Sequence, residues 1–301
     1  MTLVFAYGGT GEPEKGLLGV DLPVLAGAPT EVLLEGAEKA PDQGVFLTWR
    51  SPGATAGYAC ARPGEDLDRF TERVYGDLLR AARGSHLYRI WNFIPRINEP
   101  GPAGLENYRA FCRGRSLAFE AALGTSFAGN LPAASAVGGE GPLAAVAFLA
   151  GDKAGSHFEN PAQVPAYEYP TEHGPRPPSF ARATTVVRGG LRDAFVSGTS
   201  AIVGHATVAP HDTSTQLSST FDNLSRISRA CGLGDDLGRA LGGVRHFKVY
   251  LRHPAELAEA ADRLSGRFLV PGDRVTYLRA DICRAALNVE IEVSIRGASS
   301  N

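Results

Sequence analysis

The run VTYLRADICRAALNVEIEVSI, Val275 to Ile295, decides how this chain is read. It predicts two strands joined by a short polar turn. In the second strand Leu287, Val289, Ile291, Val293 and Ile295 alternate with Asn288, Glu290, Glu292 and Ser294. A period of two sends the apolar set to one sheet face and both glutamates to the other. Either that polar face meets water, or one glutamate faces a pocket and handles a proton. Periodicity alone leaves both readings open.

The rest of the chain bounds the choice. A length of 301 residues suffices for one large domain or two ordinary ones. An apolar fraction of 44% and a charged fraction of 21% are those of a globular, water-soluble protein. The net charge of −2 gives no reason to expect nucleic acid or a membrane surface as partner. The start, MTLVFAYGGTGEPEKG, has no basic n-region or apolar h-region, so no leader is expected. Cys60, Cys112, Cys231 and Cys283 lie far apart without a CxxC pair, which predicts reduced thiols and a cytoplasmic location.

Residues 1–40 carry Gly and Pro breaks and little periodicity. The segment GGTGEPEKG, Gly8 to Gly16, lacks the Gly-Lys-Ser/Thr ending of a phosphate loop and reads as a surface turn. Beyond it, VFLTWR predicts a strand, Glu65 to Ala82 a helix, His86 to Ile94 a strand, Leu105 to Leu123 a helix, and Pro142 to Ala150 a buried strand. A proline-rich bridge, Asn160 to Thr184, follows an extended path over the surface or along a cleft. The pattern then repeats: a strand at Ala194 to His205, a helix from Thr213 to Cys231, a strand at His246 to His253, a helix from Ala255 to Leu264 and the closing strand pair. The expected architecture is α+β, two β-α-β-α-β units with helices on one face of each sheet, divided as residues 1–150 and 151–301.

Three places invite chemistry. On the helix from Leu105 one face collects Leu105, Tyr108, Phe111, Cys112, Arg115 and Phe119, so an arginine sits within an apolar stripe. It either pairs with an internal carboxylate or receives an anionic ligand. The helix from Thr213 aligns Gln216, Thr220 and Asn223. Ser197-Gly198-Thr199-Ser200 interrupts a strand, and glycine there signals a bulge or a close approach of the backbone to something bound. That segment does not match the GxSxG elbow of serine hydrolases. The seven histidines show no HxxxH or HxH spacing, so no metal is expected unless distant segments meet. No GxGxxG opens a helix after a strand, so no nicotinamide cofactor is expected either.

The segment SGTSAIVGHATVAPHDTSTQLSSTFDNLSRISRACG, together with the terminal LNVEIEV, resembles the Rid (YjgF-like) family, whose fold is shared with a class of chorismate mutases. More specifically, YRIWNFIPRIN, ENYRAFCRGRSLAF, NPAQVPAYEYPTEHGPRPPSFARAT and YLRADICRAALNVEIE together resemble the chorismatase family of bacterial secondary metabolism, from about Val45 to the end. The resemblance implies a cofactor-independent enzyme that takes chorismate and releases pyruvate. Glu290 would protonate the enolpyruvyl methylene, with Glu292 as its neighbour. Arg115, Arg176 and Arg182 would hold the two substrate carboxylates, and Tyr108 would lie along the ring. Gly198 and Cys283 resemble the 3-hydroxybenzoate-forming branch, where the hydrolytic branch has alanine and valine. Thr199 and Gln216 complete the expected substrate-binding set. A hydrolytic chorismatase giving a dihydroxycyclohexadiene carboxylate is the nearest alternative. A Rid-like imine deaminase or small-carboxylate binder is another; Rid enzymes carry an arginine where this chain has Tyr277, which counts against it. If the two halves pack together, a monomer is the expected state.

Overall fold

The computed structural model describes residues 1–301 apart from Pro63, Ser126 and Asn301. The N-terminal arm contains β1 (Leu3–Tyr7), β2 (Leu17–Val20), β3 (Val24–Gly27) and β4 (Thr30–Leu34). Strands β2, β1 and β4 form a small sheet, in the segment where periodicity predicted no strands. Gly8–Gly16 is a turn that includes a short 3-10 segment, Pro13–Lys15.

A second sheet uses β5 (Glu38–Gln43), β6 (Phe46–Ser51), β7 (Ala54–Cys60), β8 (His86–Pro95), β9 (Ala133–Gly139) and β10 (Ala145–Gly151). Helices α1 (Leu67–Ala81) and α2 (Asn107–Leu123) flank β8 in the chain. Asp66 caps α1 by accepting hydrogen bonds from the Asp68 and Arg69 amides. The strand order is β5-β6-β7-β10-β8-β9.

The third sheet contains β11 (Ser156–Phe158), β12 (Ala183–Arg188), β13 (Leu191–Thr199), β16 (Val244–Leu251), β17 (Arg274–Arg279) and β18 (Val289–Ser299). Between β13 and β16 lie a two-stranded hairpin, β14 (Ile202–Val203) with β15 (Ala206–Thr207), and helix α3 (Thr213–Ala230); α4 (Leu257–Arg267) follows β16. The order is β11-β12-β13-β18-β16-β17-β3, so the N-terminal arm donates its β3 to this sheet.

The inner strands of these two sheets follow one plan. β6-β7-β10-β8-β9 matches β12-β13-β18-β16-β17, with a parallel pair, β8·β9 or β16·β17, in the same place. The last strand of each series, β10 or β18, inserts antiparallel between two earlier ones. Each series therefore has two strands more than the β-α-β-α-β expectation. Strand β9, AASAVGG, was not predicted; its small residues carry little apolar alternation. The quoted C-terminal run is not a hairpin, because β16 lies between β17 and β18 and the nine-residue connection 280–288 must cross it.

Each sheet has helices on one face only. Phe70, Val74 and Leu78 of α1 pack with Ile90 and Phe148, and Leu217, Leu224 and Leu264 pack with Val249, Ile291 and Val293. The opposite faces meet around Trp49, Trp91, Phe195 and Tyr250, with Phe5 and Leu18 of the arm wedged among them. This stacking resolves the question posed by the C-terminal strand. Its odd-numbered residues meet the helices, while Glu290 and Glu292 face the other sheet and are 3% and 1% exposed. The polar face does not meet water. Among the described residues no helix is long and apolar enough to cross a membrane.

Candidate active site

Two buried glutamates on one strand face require different partners, because an unpaired buried carboxylate is costly. Glu292 has them. Arg89 Nη2 donates to it at 2.6 Å, Trp91 Nε1 at 3.0 Å, and the Lys248 ammonium bridges it to Glu31. Burial pushes the Glu292 carboxyl up, but Arg89 and Lys248 outweigh it and hold the group down at about 2. Glu31 in turn accepts from Tyr7 at 2.9 Å and Ser294 at 3.2 Å. A register shift between Leu87 and Arg89, where β8 meets β10, brings Arg89 to the inner face.

Glu290 has almost none. Its Oε2 accepts from Ser200 Oγ at 3.4 Å, and its Oε1 has no hydrogen-bond partner. Burial, reinforced by the nearby Glu292 charge, pushes its carboxyl up to about 8 against the opposing effects of Arg89, Ser200 and Arg182. At neutral pH this group is a neutral acid.

Glu290 opens onto a cavity of about 500 Å³. The cavity lies where β18 begins and β13 bulges, with the register slipping between Val196 and Thr199. Gly198, in the bulge, leaves room for the Glu290 carboxyl. The remaining walls come from α2, β9, the connection 280–288 and the proline-rich strap 160–182, whose Tyr169, Phe180 and Arg182 line the space. Backbone bonds from Ala181 to Pro132 and between Gly138 and Asp281 fasten the strap and the connection to the β9 edge.

Four arginines line the cavity, and one of them, Arg109, is paired with Glu106 at 3.0 Å. Arg115 is 1% exposed and lies over the Phe111 ring at 4.8 Å. Among the described residues no carboxylate lies within ion-pair distance of it, and its Nε has no hydrogen-bond partner. An arginine so buried without an acid is prepared for an anion from outside. Arg182 stacks over Phe180 at 5.0 Å and donates to Tyr169 Oη at 2.8 Å; its nearest carboxylate, Glu159, is 3.9 Å away and is pushed up to about 7 by burial. Arg284 donates to the His205 carbonyl at 2.8 Å and lies over the Tyr169 ring. Arg284 was not among the sequence-derived candidates, although it stands six residues before Glu290; only the crossing path of 280–288 brings it to the cavity.

Tyr108 and Cys283 also line the cavity. Burial raises the Tyr108 phenol well above its ordinary range and pushes the Cys283 thiol up to about 12, so the sulfur is a neutral packing group rather than a thiolate. Three expected residues do not line the cavity. Arg176 pairs with Glu120 at 2.8 Å. Thr199 turns its hydroxyl onto the Ser197 carbonyl within the bulge. Gln216 donates to the Ala209 and Ala286 carbonyls and accepts from the Asn288 amide, pinning the 280–288 connection to α3. Tyr277 packs on the helical side of its sheet. Ser200, which contacts Glu290, lies in the strand interruption that the sequence marked, whereas Tyr169, which contacts Arg182, was not singled out.

An uncharged carboxylic acid in a cavity lined by several arginines suits proton delivery to a ligand bearing more than one negative charge. The comparisons with known proteins agree in kind. Residues 38–150 match the model of the chorismatase FkbO/Hyg5-like N-terminal domain. The chain is 35% identical over 276 residues to a 3-hydroxybenzoate synthase of Streptomyces hygroscopicus, covering 87% of this chain and 80% of that protein. It is 38% identical over 258 residues to a chorismatase of Streptomyces rapamycinicus, covering 82% and 76%. A crystal structure of a chorismatase superposes with a TM-score of 0.80 at 30% identity, over 98% of this chain and 92% of the other. Identity of this extent, across most of both partners, makes this chain a member of the chorismatase family of enzymes.

Proposed function

We propose that the protein converts chorismate to 3-hydroxybenzoate and pyruvate, with Glu290 as the general acid. The observation that carries this reading is the Glu290 carboxyl, buried, nearly unpartnered and pushed up to about 8, facing a cavity whose Arg115 has no acidic partner among the described residues. Chorismate brings two carboxylates, a ring hydroxyl and an enol ether. Arg115, Arg182 and Arg284 supply cations for the carboxylates, and the guanidinium fork can take a carboxylate through two parallel hydrogen bonds. Proton transfer from Glu290 to the enolpyruvyl methylene carbon creates an oxocarbenium centre at the ether carbon. A positioned acid of this kind contributes about 10²–10⁴-fold. The neutral acid donates its proton and becomes an anion beside the new cation, so charge separation within the sheltered cavity is partly compensated.

The neighbouring ring hydroxyl then captures that centre, and the ring aromatises as pyruvate leaves. No water is consumed. Gly198 and Cys283, both in the cavity wall, support this branch, as does the name borne by the Streptomyces hygroscopicus relative. The test is incubation of the purified protein with chorismate, followed by chromatography and pyruvate assay. Equal amounts of 3-hydroxybenzoate and pyruvate are expected. A dihydroxycyclohexadiene carboxylate in place of the aromatic product would overturn the branch, and absence of pyruvate would overturn the reaction.

A further inference from the structure

The strap and the β14–β15 hairpin meet at the mouth of the cavity, and the residues that meet there are two histidines and a glutamate. His173 Nε2 lies 3.0 Å from His205 Nδ1, while Glu172 Oε1 lies 3.3 Å from the first and 3.4 Å from the second. Among the described residues this is the one group of three such side chains with its ligating atoms gathered closely enough to share an ion. Zinc–nitrogen and zinc–oxygen bonds of about 2.0–2.2 Å in a tetrahedron require ligand–ligand edges of roughly 3.3–3.5 Å. The observed triangle has nearly those edges, so an ion would fit with little movement and would keep one coordination position open.

The surroundings narrow the kind of ion. Calcium and magnesium require sets of oxygen ligands, whereas two imidazoles and one carboxylate suit zinc and its first-row neighbours. Arg284, bonded to the His205 carbonyl, adds positive charge nearby and further disfavours a cation held by charge alone. The Tyr169 ring packs against both imidazoles, with centroids 5.3 and 6.4 Å away, and limits their rotation. The three side chains are partly or fully exposed, so an ion can reach them.

We propose that Glu172, His173 and His205 form a site for a zinc-class divalent transition-metal ion, which ties the strap to the β14–β15 hairpin at the cavity mouth. Two ligands come from the strap and one from the hairpin, so occupancy cross-links segments joined otherwise by backbone bonds such as Val164 to Gly204. Glu172 and His173 line the same cavity as Glu290, so the tests of this site use no chorismate and read metal binding alone.

The full chain, stripped with a chelator and dialysed, is titrated with Co²⁺ as a visible probe. One equivalent should develop the strong visible bands of a four-coordinate site, and Zn²⁺ should displace it. His173→Ala and His205→Ala should each weaken binding by at least the roughly 10–100-fold that loss of even an outer-sphere partner costs. Zn²⁺ should slow hydrogen exchange in residues 160–182 of the unaltered protein but not of His205→Ala, which keeps both strap ligands. Metal-free thermal unfolding of the variants provides the folding control, and Glu172→Gln, altered at an exposed position, provides a third variant. No stoichiometric Co²⁺ band, equal affinity in the histidine variants, or strap exchange indifferent to Zn²⁺ would each overturn the proposal.

Discussion

A methyl group at position 198 would sit 2.0 Å from Oε1 of Glu290. The acid therefore occupies space that only glycine at that bulge leaves free. The same contact places a residue that differs between the two branches the sequence resembles against the carboxyl proposed as the proton donor.

Gly198→Ala should consequently act through Glu290. The buried carboxyl has to move, and a displacement near 1 Å from the productive geometry costs on the order of 10²-fold in rate. Total pyruvate release should fall by about that factor, and the remaining product should shift toward the hydrolytic dihydrodiol. An unaltered rate and product ratio would show that the contact has no part in catalysis.

Glu290→Gln should remove the roughly 10²–10⁴-fold contribution of the general acid while chorismate still binds. In the unaltered protein kcat should hold steady toward low pH and decline as pH rises through about 8, where Glu290 loses its proton. A kcat still flat well above that pH would remove Glu290 from the acid's role.

The same carboxyl should weaken the fold at high pH. Its folded pKa stands above the ordinary 4.5, so the unfolded chain releases this proton first. Stability is complete below about 4.5 and is lost as pH rises toward 8, by an amount on the order of a few kcal/mol. Glu290→Gln should therefore unfold at a higher temperature than the parent at pH 8 and at nearly the same temperature at pH 4. Calorimetric scans at the two pH values check the sign.

Glu292 has the opposite sign. Its carboxyl is held down at about 2, so it contributes stability above its ordinary 4.5 that disappears as pH falls toward 2. Arg89→Met strips Glu292 of one of its two cations and should cost about 3–5 kcal/mol in denaturant unfolding, the range seen when a buried pair is broken. A loss below 1 kcal/mol would mean that Lys248 alone suffices.

Arg115→Met keeps most of the side-chain volume and removes the cation. Measured in the Glu290→Gln background, where turnover is blocked, chorismate should bind about 1.5–3 kcal/mol more weakly, or roughly 10–150-fold in Kd. Arg176→Met, whose guanidinium faces Glu120, should leave Kd unchanged.

Much of the fold was legible because the helices and inner strands carry strong periods. Phe70, Val74 and Leu78 mark a helix face, and Val289, Ile291 and Val293 mark a strand face, as the structure has them. Strand β9 was missed because AASAVGG has no side chains large enough to alternate, and the N-terminal strands were missed among glycines and prolines. For the site, the stripe on α2 marked Arg115 as needing either an internal carboxylate or an anionic ligand, while the Glu120 partner of Arg176 became visible only in the fold.

The sequence by itself determined that Glu290 and Glu292 share one face of one strand, since alternation is a property of the backbone. What covers that face is a property of the whole chain. Tertiary structure brought Arg89, Trp91 and Lys248 from other strands onto Glu292 and gave Glu290 the Gly198 bulge and a cavity. The difference between a salt-bridged carboxylate and a neutral acid lies in local dielectric and charge, and both are set by segments up to 203 residues away in the chain.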